Sequence, residues 1–562
     1  MSRYASRSTL VHCFLLWAES SPKMVYMTQP LSDGRTIDIT WGEAADQVLR
    51  MANHLKTLNL PPQSRIGLLG RNSAHWILAD LAIWIAGHVT VPLYPTLNGD
   101  TAAYILEHSE ASALFIGKMD GKADGWNEIA PVLPASLPQI GLPMSPRSDI
   151  PQWTDIVARI EPLQDIQLPA TSQLATIVYT SGSTGRPKGV MHSFGTMCSV
   201  ANGLRDIYKI NRDDRMLSYL PLAHVAERAV LETSSLYFGF RIFFADSLAT
   251  FQQDLQRAQP TIFFSVPRLW TKFYLAINEK LPPSKQKVLF RLPIVSRIIK
   301  RKILTQLGLD QVRFAFTASA PLPPNIIQWY RDLGLELLDV YGMTENYGYS
   351  HGSRPGQVRV GFVGHCNPGV QHRIVETGEV QVKSPGQMMG YYNDPVKTAE
   401  DMTEDGFLRT GDRGEIDAQG RLRITGRVKE LFKTSKGKYV APVPIEQKLN
   451  NHPKLEVVCV TGPSQPQPFA LFMLSLDALA ELKDGRLSRD QLTTDFQKLL
   501  DEVNNTLEDH EKLDYVVVVK DQWTIENGYL TPTMKIKRNI IEEHYLGQAE
   551  TWLAQRRKVV WE

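Results

Sequence analysis

The sequence predicts an α/β protein, with a large domain built on parallel sheets and a small α+β domain towards the carboxyl end. Short apolar runs alternate with helical patterns over most of the chain, which is typical of parallel strands covered by helices. After about residue 360, Gly, Asp and Pro turns separate short alternating strands, which indicate a smaller β-rich subdomain. At 562 residues, the chain is also longer than one compact core requires.

The first predicted element is a capped amphipathic helix. Ser8 and Thr9 precede an apolar stretch that begins at Leu10, and hydroxyl side chains are favoured at helix N-caps. A secretion signal is the alternative, but His12 interrupts the stretch and no small-residue cleavage site follows. A further helix is predicted at 73–86. Strands are predicted where short apolar runs recur, at 65–69, 89–93, 174–178, 261–266, 312–317 and 335–340.

The carboxyl-terminal third predicts shorter strands and then two helices. Short strands are expected at 378–382 and 421–425, and helical patterns run over 444–452 and 490–507. We expect the domain boundary directly after Arg427. The predicted domains are therefore 1–427 and 428–562.

Composition narrows the class of protein. A net charge of +2 gives no bulk attraction to nucleic acid, so no nucleic-acid partner is expected. The four cysteines are far apart and form no CxxC pair or Cys/His cluster in the sequence, so neither a zinc site nor a disulfide framework is predicted. That cysteine usage favours a reducing compartment, and we expect the cytoplasm.

The segment 179–190 carries the strongest chemical signal. It follows the apolar run 174–178 and combines five hydroxyl side chains, three glycines and two cations, which suits the binding of a polyphosphate. Because Pro187 and Gly189 break the pattern, it is not the GxxxxGK[ST] loop, and a surface linker is the alternative interpretation. The candidate phosphate-binding residues are Thr180, Ser181, Gly182, Ser183, Thr184, Gly185 and Lys188.

This loop resembles the phosphate-binding signature of the adenylate-forming enzymes, which include acyl-CoA synthetases, luciferases and adenylation domains. The resemblance extends from about residue 10 to about residue 545 through at least five motifs in the family's order. It implies that the protein binds ATP with Mg²⁺ and activates a carboxylic acid.

The segment 339–345 follows a predicted strand and matches the family's adenine and α-phosphate motif. The resemblance implies that Tyr341 stacks on adenine, that Thr344 bonds the α-phosphate and that Glu345 holds Mg²⁺. A helix-cap carboxylate is the alternative for Glu345. Ser319 and Ala320 fit the loop beside adenine.

Asp412 matches the family's carboxylate that accepts both ribose hydroxyls, because an ionised Asp offers two oxygens to two donors. Arg427 lies fifteen residues further on and would bind ribose or phosphate, and Lys429 occupies the hinge position. The segment around Gly437 would face the site after the small domain rotates.

Two further motifs match residues that act on the substrate carboxylate. His224 matches the family's residue beside that carboxylate, although a structural histidine is the alternative. Val225 stands where amino-acid-activating domains place an Asp, which argues against an amino-acid substrate, but the nearby Glu227 leaves the question open. Lys535 matches the catalytic lysine of the last motif, with Lys537 as the alternative.

The motifs together resemble those of long-chain acyl-CoA synthetases. This resemblance implies a fatty acid substrate and coenzyme A as the acceptor. The alternatives are an acyl-AMP ligase that loads a carrier protein and an acyl-CoA synthetase for a short or aromatic acid. A luciferase-like oxygenase and an inactive acyl- or nucleotide-binding regulator are more distant alternatives.

The stretch 280–302 holds eight Lys or Arg residues with no acidic residue between them, and isoleucine and valine are interleaved. Such a segment predicts either peripheral contact with the inner face of an anionic membrane or a solvated helix face.

Overall fold

The computed structural model describes residues 7–120, 124–180, 186–450, 452–525, 527–531 and 534–562. The strands are, in chain order, β1 (Val25–Pro30), β2 (Thr36–Thr40), β3 (Arg65–Leu69), β4 (Val89–Leu93), β5 (Ala111–Ile116), β6 (Gln139–Gly141), β7 (Leu174–Thr180), β8 (Lys188–Ser193), β9 (Arg215–Ser218), β10 (Arg241–Phe244), β11 (Ile262–Ser265), β12 (Phe314–Thr317), β13 (Leu337–Tyr341), β14 (His351–Gly352), β15 (His365–Cys366), β16 (Gln371–Ile374), β17 (Glu379–Lys383), β18 (Gly390–Tyr391), β19 (Leu408–Ile416), β20 (Leu422–Arg427), β21 (Phe432–Lys433), β22 (Tyr439–Val440), β23 (Leu455–Thr461), β24 (Phe469–Leu474), β25 (Val516–Val518) and β26 (Val559–Trp561).

The α-helices of the described residues lie around these sheets. They are α1 (Leu10–Ser20), α2 (Trp41–Thr57), α3 (Ala74–Ile85), α4 (Gly99–His108), α5 (Trp126–Ile129), α6 (Trp153–Arg159), α7 (Phe194–Tyr208), α8 (Val225–Glu227), α9 (Ser234–Phe238), α10 (Phe251–Ala258), α11 (Pro267–Lys280), α12 (Pro283–Leu289), α13 (Pro293–Leu307), α14 (Pro324–Leu333), α15 (Pro395–Asp401), α16 (Pro442–Leu449), α17 (Leu476–Lys483), α18 (Arg489–Asn504), α19 (Arg538–Tyr545) and α20 (Ala549–Ala554).

A seven-stranded sheet with the order β18-β8-β7-β4-β3-β5-β6 forms one layer of the fold. Its strands β7, β4, β3, β5 and β6 are parallel, whereas β7 and β8 pair in antiparallel fashion on either side of the loop after Thr180. The apolar strands are buried on both faces, as parallel sheets require. The predicted α/β class and the strands at 65–69, 89–93 and 174–178 are confirmed.

A second sheet has the order β11-β12-β13-β14-β15, with β11, β12 and β13 parallel and the last two strands antiparallel. A third sheet has the order β2-β1-β10-β9. The predicted strands at 261–266, 312–317 and 335–340 are confirmed as β11, β12 and β13 with slightly different ends. The carboxyl ends of β12 and β13 therefore lie side by side, and this position brings the loops after both strands together.

The predicted change to short strands in a β-rich region after residue 360 is also confirmed. Strands β16, β17, β19 and β20 form an antiparallel sheet, and β19 and β20 are joined by a hairpin. Beyond Arg427, the short β21–β22 hairpin precedes a mixed sheet with the order β23-β24-β25-β26. Helices α16 and α18 pack on that sheet, where Leu449, Phe472 and Phe496 share one core.

Helix α1 begins as the sequence predicts. The Thr9 side chain accepts a hydrogen bond from the His12 backbone N–H, which is the expected N-cap. Leu10, Phe14 and Trp17 of this helix are buried, and the rings of Phe14 and Trp17 pack against Trp41 of α2. In the described part of the chain, every helix is too short or too polar to cross a bilayer.

The fold also brings together side chains that are far apart in the sequence. The sequence shows no Cys/His cluster, but the fold brings His351, Cys366 and His372 together. These residues lie on β14, β15 and β16, and pairing of separate strands places side chains that are distant in sequence next to one another.

Candidate active site

The end of β13 and the turn after it, the β19–β20 hairpin and the segment before α19 converge on one group of polar side chains. We call Tyr341, Glu345, Asp412, Arg427 and Lys535 the central cluster, because hydrogen bonds or electrostatic interactions join them. The first four lie before residue 428, and Lys535 lies in the carboxyl-terminal part of the chain. Tyr341 and Lys535, the first and last of these residues, are more than 190 positions apart in the sequence. Only the tertiary fold therefore brings the five residues together.

Asp412 is held between two partners. Its Oδ2 accepts a hydrogen bond of 2.6 Å from the Tyr341 hydroxyl, and its Oδ1 lies 3.1 Å from Nε of Arg427. Asp412 and Arg427 face each other in the β19–β20 ladder, so the hairpin register sets this pair. The Asp412 side chain is 9 % exposed, whereas that of Arg427 is 53 % exposed, so the guanidinium reaches into open space.

Glu345 follows β13 and forms an acidic pair with Asp401, because both carboxylates lie beside the Tyr391 hydroxyl. Its Oε1 accepts a 2.9 Å hydrogen bond from the Tyr391 hydroxyl, which also lies 3.0 Å from Oδ2 of Asp401. Burial raises the pKa of Glu345, while the hydrogen bond from Tyr391 favours its ionised form. The Lys188 ammonium lies 5.3 Å from the centre of the Tyr391 ring, so a cation from β8 approaches the same acidic pair.

Thr344 is positioned through its backbone. His192 of β8 is buried and its Nε2 lies 2.8 Å from the Thr344 carbonyl oxygen. Burial lowers the pKa of His192 to about 3, so the ring is neutral at pH 7 and donates its Nε2–H to that carbonyl. The turn that carries Thr344 and Glu345 is thereby fixed to the seven-stranded sheet.

His224 lies at the N-cap of α8. Its Nδ1 accepts a hydrogen bond of 3.2 Å from the Ala226 backbone N–H. Burial, together with the positive charge of Lys535, lowers the pKa of His224 to about 4, so the ring is neutral near pH 7. Because Nδ1 is an acceptor, the proton is on Nε2, which leaves one N–H donor for a ligand.

Glu227 does not resemble a binding carboxylate. It is buried, and its Oε1 accepts hydrogen bonds from the Ser218 hydroxyl and the Tyr219 backbone N–H, at 2.9 and 3.1 Å. Burial raises the pKa of Glu227 to about 8. The carboxyl is thus an internal link between α8 and the end of β9.

Lys535 is accessible to solvent, but protein surrounds it on several sides. This desolvation, with a contribution from the Arg427 charge, lowers the pKa of its ammonium. Asp412 and Glu345 attract the same charge. Lys537, the alternative from the sequence, instead occupies the N-cap position of α19.

The remaining candidate residues lie at different distances from this group. Ser319 follows β12 and has a φ of 72°, in the left-handed region that few non-glycine residues adopt, and Ala320 beside it is exposed. Thr180 ends β7 and pairs with Lys188 of β8. Gly437 lies in the β21–β22 turn with a φ of 79°. The predicted residues Ser181, Gly182, Ser183, Thr184 and Gly185 lie outside the described residues.

Sequence reasoning missed Tyr391 and His192. Tyr391 lies 46 residues from Glu345, and His192 lies 152 residues from Thr344. Each residue acts through a tertiary contact, and no local pattern in the sequence marks it. Lys188, by contrast, is a candidate from the sequence because it belongs to the hydroxyl-rich segment.

The amino-acid sequence matches two family models. The model described as AMP-binding enzyme covers residues 15–392, and the model described as AMP-binding enzyme C-terminal domain covers residues 430–555. The first match alone spans more than half of the chain.

Curated relatives match along nearly the whole chain. The chain is 29 % identical to the long-chain-fatty-acid–CoA ligase FadD15 of Mycobacterium bovis, with 93 % of each chain covered. It is 30 % identical to the peroxisomal long chain acyl-CoA synthetase 6 of Arabidopsis thaliana, over 91 % of this chain and 81 % of the relative.

Solved structures share the fold. The anthranilate CoA ligase AuaEII in complex with anthranoyl-AMP superposes with a TM-score of 0.79 at 20 % identity, covering 98 % of this chain and all of the other. The adenylation domain of a carboxylate reductase from Mycobacterium chelonae gives a TM-score of 0.81 at 22 % identity, with 98 % and 92 % coverage.

Proposed function

The chain belongs to the AMP-binding enzyme family, and on that premise we propose that it joins a long-chain fatty acid to coenzyme A at the expense of ATP. The relatives named as long-chain-fatty-acid–CoA ligases support this substrate and acceptor. The structural observation that carries the proposal is the convergence of Asp412, Glu345 and Lys535 on one cluster.

The reaction has two steps. A carboxylate resists attack by a thiol, because it is negatively charged and has no good leaving group. In the first step, a carboxylate oxygen attacks the α-phosphorus of ATP, the bond to the β-phosphate oxygen breaks, and pyrophosphate leaves. In the second step, the thiol of coenzyme A attacks the acyl carbon, AMP departs, and the thiol proton is released.

The central cluster supplies positioning and charge for the first step. Asp412 would accept hydrogen bonds from the ribose hydroxyls, and Tyr341, which bonds to Asp412, would lie against adenine. Lys535 and the partly exposed Arg427 would stabilise the negative charge that develops on the phosphates. Thr344 would bind the α-phosphate, and the 179–190 segment with Lys188 would bind the outer phosphates.

The acidic pair beside Tyr391 fits Mg²⁺. Glu345 offers carboxylate oxygens, which are the ligands that this hard cation prefers, and its Oε2 is not used by the Tyr391 bond. Glu345 would therefore hold the ion, which would neutralise phosphate charge when bound with ATP.

His224 would orient the fatty acid carboxylate. Its Nε2–H is the available donor, since Nδ1 is engaged by α8. A neutral histidine adds no proton to the carboxylate, so the substrate stays an ionised nucleophile. The internal role of Glu227 leaves this region without a carboxylate for a substrate ammonium group, which agrees with the absence of Asp at Val225.

We place the domain boundary between residues 427 and 428, with Lys429 at the hinge. The small domain would rotate after adenylation, removing Lys535 and bringing the segment around Gly437 to the site. The chain has no long insertion between Arg427 and Glu446, which favours coenzyme A over a carrier protein as the acceptor.

We further propose that the stretch 280–302 attaches the protein peripherally to the inner, anionic face of a membrane. Helices α12 and α13 expose apolar side chains there, with Ile294 at 78 %, Val288 at 62 % and Ile298 at 62 % exposure. The basic side chains of the same stretch are exposed as well, apart from the half-buried Lys300. An apolar surface bordered by cations suits an anionic lipid surface, where a fatty acid substrate would also partition.

The test is pyrophosphate release with acids from C2 to C18, with and without coenzyme A. We expect kcat/KM to rise from C6 towards C12–C16, because each buried methylene contributes about 0.8 kcal/mol. An optimum at C2–C4 or at an aromatic acid would contradict the long-chain substrate and leave adenylation intact. Acyl-AMP that accumulates despite coenzyme A would point to a carrier protein as the acceptor.

A further inference from the structure

Three strands from two sheets, β14, β15 and β16, meet next to β13, the strand that carries Tyr341 of the central cluster. His351 of β14 pairs directly with Cys366 of β15, and His372 lies on β16 of the neighbouring antiparallel sheet. His351 also pairs with Tyr341 across β13 and β14, so this group lies one strand away from the central cluster.

The side chains of these residues converge. Nε2 of His351 lies 2.7 Å from Nδ1 of His372 and 3.4 Å from the Cys366 sulfur. All three potential ligand atoms lie within 4.8 Å of one another. In a tetrahedral zinc site, ligand atoms are separated by about 3.3 to 3.7 Å, given bonds of about 2.0 to 2.3 Å. The two nitrogens would have to move apart by about 0.6 Å, whereas the 3.4 Å between Nε2 of His351 and the sulfur already lies in this range.

We propose that His351, Cys366 and His372 form a binding site for a borderline-soft divalent cation of the Zn²⁺ type. Two imidazole nitrogens and one thiolate sulfur are the donor set that such an ion prefers over Mg²⁺ or Ca²⁺. On binding, the Cys366 thiol releases its proton, and the hydrogen bond between the two histidines is replaced by two bonds to the metal. Water takes the fourth position.

Neighbouring residues favour this arrangement in one respect and oppose it in another. The Ser350 hydroxyl lies 2.8 Å from Nδ1 of His351, so it fixes the ring with Nε2 towards the other ligands. The Arg354 guanidinium donates a hydrogen bond of 2.6 Å to the Cys366 carbonyl oxygen, and its charge repels a cation. The thiolate charge offsets this repulsion, and the site therefore depends on Cys366.

A metal ion bound at this site would act on the structure of the protein. A metal ion held by β14, β15 and β16 would link the five-stranded sheet to the antiparallel sheet that carries Asp412. Because the unfolded chain does not hold these ligands together, the ion would stabilise the folded protein. The site is distinct from Glu345 and uses a different class of metal.

The experiment begins with chelator-treated full-length protein titrated with Zn²⁺ in competition with a metallochromic indicator. We expect one tight site and a higher unfolding temperature with Zn²⁺. Cys366→Ser and His372→Ala should each weaken binding at least about 10-fold and abolish the thermal shift. His544→Ala removes an exposed histidine of the small domain and should leave both quantities unchanged.

Co²⁺ provides a readout that does not depend on stability. The wild type should show a thiolate-to-cobalt charge-transfer band, which Cys366→Ser abolishes and the milder Ser350→Ala retains with weaker binding. Unfolding curves without metal show whether each variant is folded. The proposal is overturned if Co²⁺ binds without that band, or if Cys366→Ser binds Zn²⁺ as tightly as the wild type.

Discussion

The Tyr341 hydroxyl donates a 2.6 Å hydrogen bond to Oδ2 of Asp412, and this bond joins β13 of the five-stranded sheet to β19 of the antiparallel sheet. Arg427 approaches the other carboxylate oxygen at 3.1 Å. The carboxylate is therefore fixed from two sides before a ligand arrives, and such preorganisation lowers the entropic cost of binding.

We predict that Asp412→Asn raises the KM for ATP by roughly 10- to 150-fold, which corresponds to about 1.5–3 kcal/mol for hydrogen bonds to a charged group. Tyr341→Phe should cost less than about 10-fold, because the ring remains and the carboxylate keeps Arg427. ATP-dependent pyrophosphate exchange measures both. Asp417→Asn is the matched control, since Asp417 is on the same hairpin and binds Arg421 and Arg359 instead. An equal rise for Asp417→Asn would contradict a ribose-binding role for Asp412.

The second prediction separates the two half-reactions. Lys535→Ala should slow adenylation at least about 100-fold, because it removes a charge that stabilises the transition state. Thioester formation from supplied acyl-AMP should survive, since Lys535 would leave the site before that step. Lys537→Ala is the control two residues away. Equal damage to both steps would refute the domain rotation, and a defect confined to Lys537→Ala would transfer the role to Lys537.

The third prediction concerns the alkaline side of the pH profile. Desolvation and the charge of Arg427 lower the pKa of Lys535, so the ammonium loses its proton below the ordinary lysine value of 10.5. Because the charged form is needed, kcat/KM for ATP should decline as pH rises through that lowered pKa. In Lys535→Arg the decline should move to higher pH, since a guanidinium stays protonated. Identical alkaline limbs in the two proteins would assign the titration to another group.

The fourth prediction concerns acid stability. Burial lowers the pKa of His192 to about 3 in the folded protein, against 6.5 in the unfolded chain. The unfolded state therefore binds more protons below pH 6.5, and the free energy of unfolding falls as pH falls through that window. Between pH 7 and 5.5, His192 should account for about 1.3 kcal/mol of this loss.

Chemical denaturation at several pH values measures the effect. His192→Gln keeps an N–H donor for the Thr344 carbonyl but does not titrate, so its stability should fall less between pH 7 and 5.5 than that of the wild type. The difference between the two slopes is informative even if the variant is less stable at pH 7. Parallel slopes would mean that His192 titrates near its ordinary pKa.

Local patterns in the sequence are sufficient to predict most of the helices and strands, but not how those elements are arranged in space. The sequence predicts the strands at 65–69 and 89–93 with the observed ends, because each is a short run rich in apolar residues. The order of the seven-stranded sheet depends on pairings between distant segments, which no local pattern encodes.

The same limit applies to the site. The sequence predicts Asp412 and Glu345 as site residues because each belongs to a contiguous motif, and their roles stay predictions. Tyr391 and His192, which hold Glu345 and Thr344 in place, act across the fold and were missed. The approach of Cys366 to two histidines has the same origin, since three strands had to pair before the side chains could meet.

The last prediction is that the protein sediments with anionic vesicles at low salt and is released at high salt. Each cation near such a surface contributes about 1 kcal/mol, and salt screens this attraction. Replacing Lys285, Lys287, Arg291 and Arg297 by Ser should abolish sedimentation. Ser replacements at the exposed Lys483, Arg486, Lys498 and Arg556 change the net charge equally and should leave it unchanged.

The apolar side chains of the same surface allow an independent test of membrane attachment. Ile294→Ser with Ile298→Ser should weaken vesicle binding while keeping every charge, because both side chains are more than half exposed and would enter the lipid interface. If the protein stays in the supernatant at low salt, the stretch 280–302 is a solvated helix face. If the two quadruple variants behave alike, the attraction depends on net charge alone and this surface has no special role.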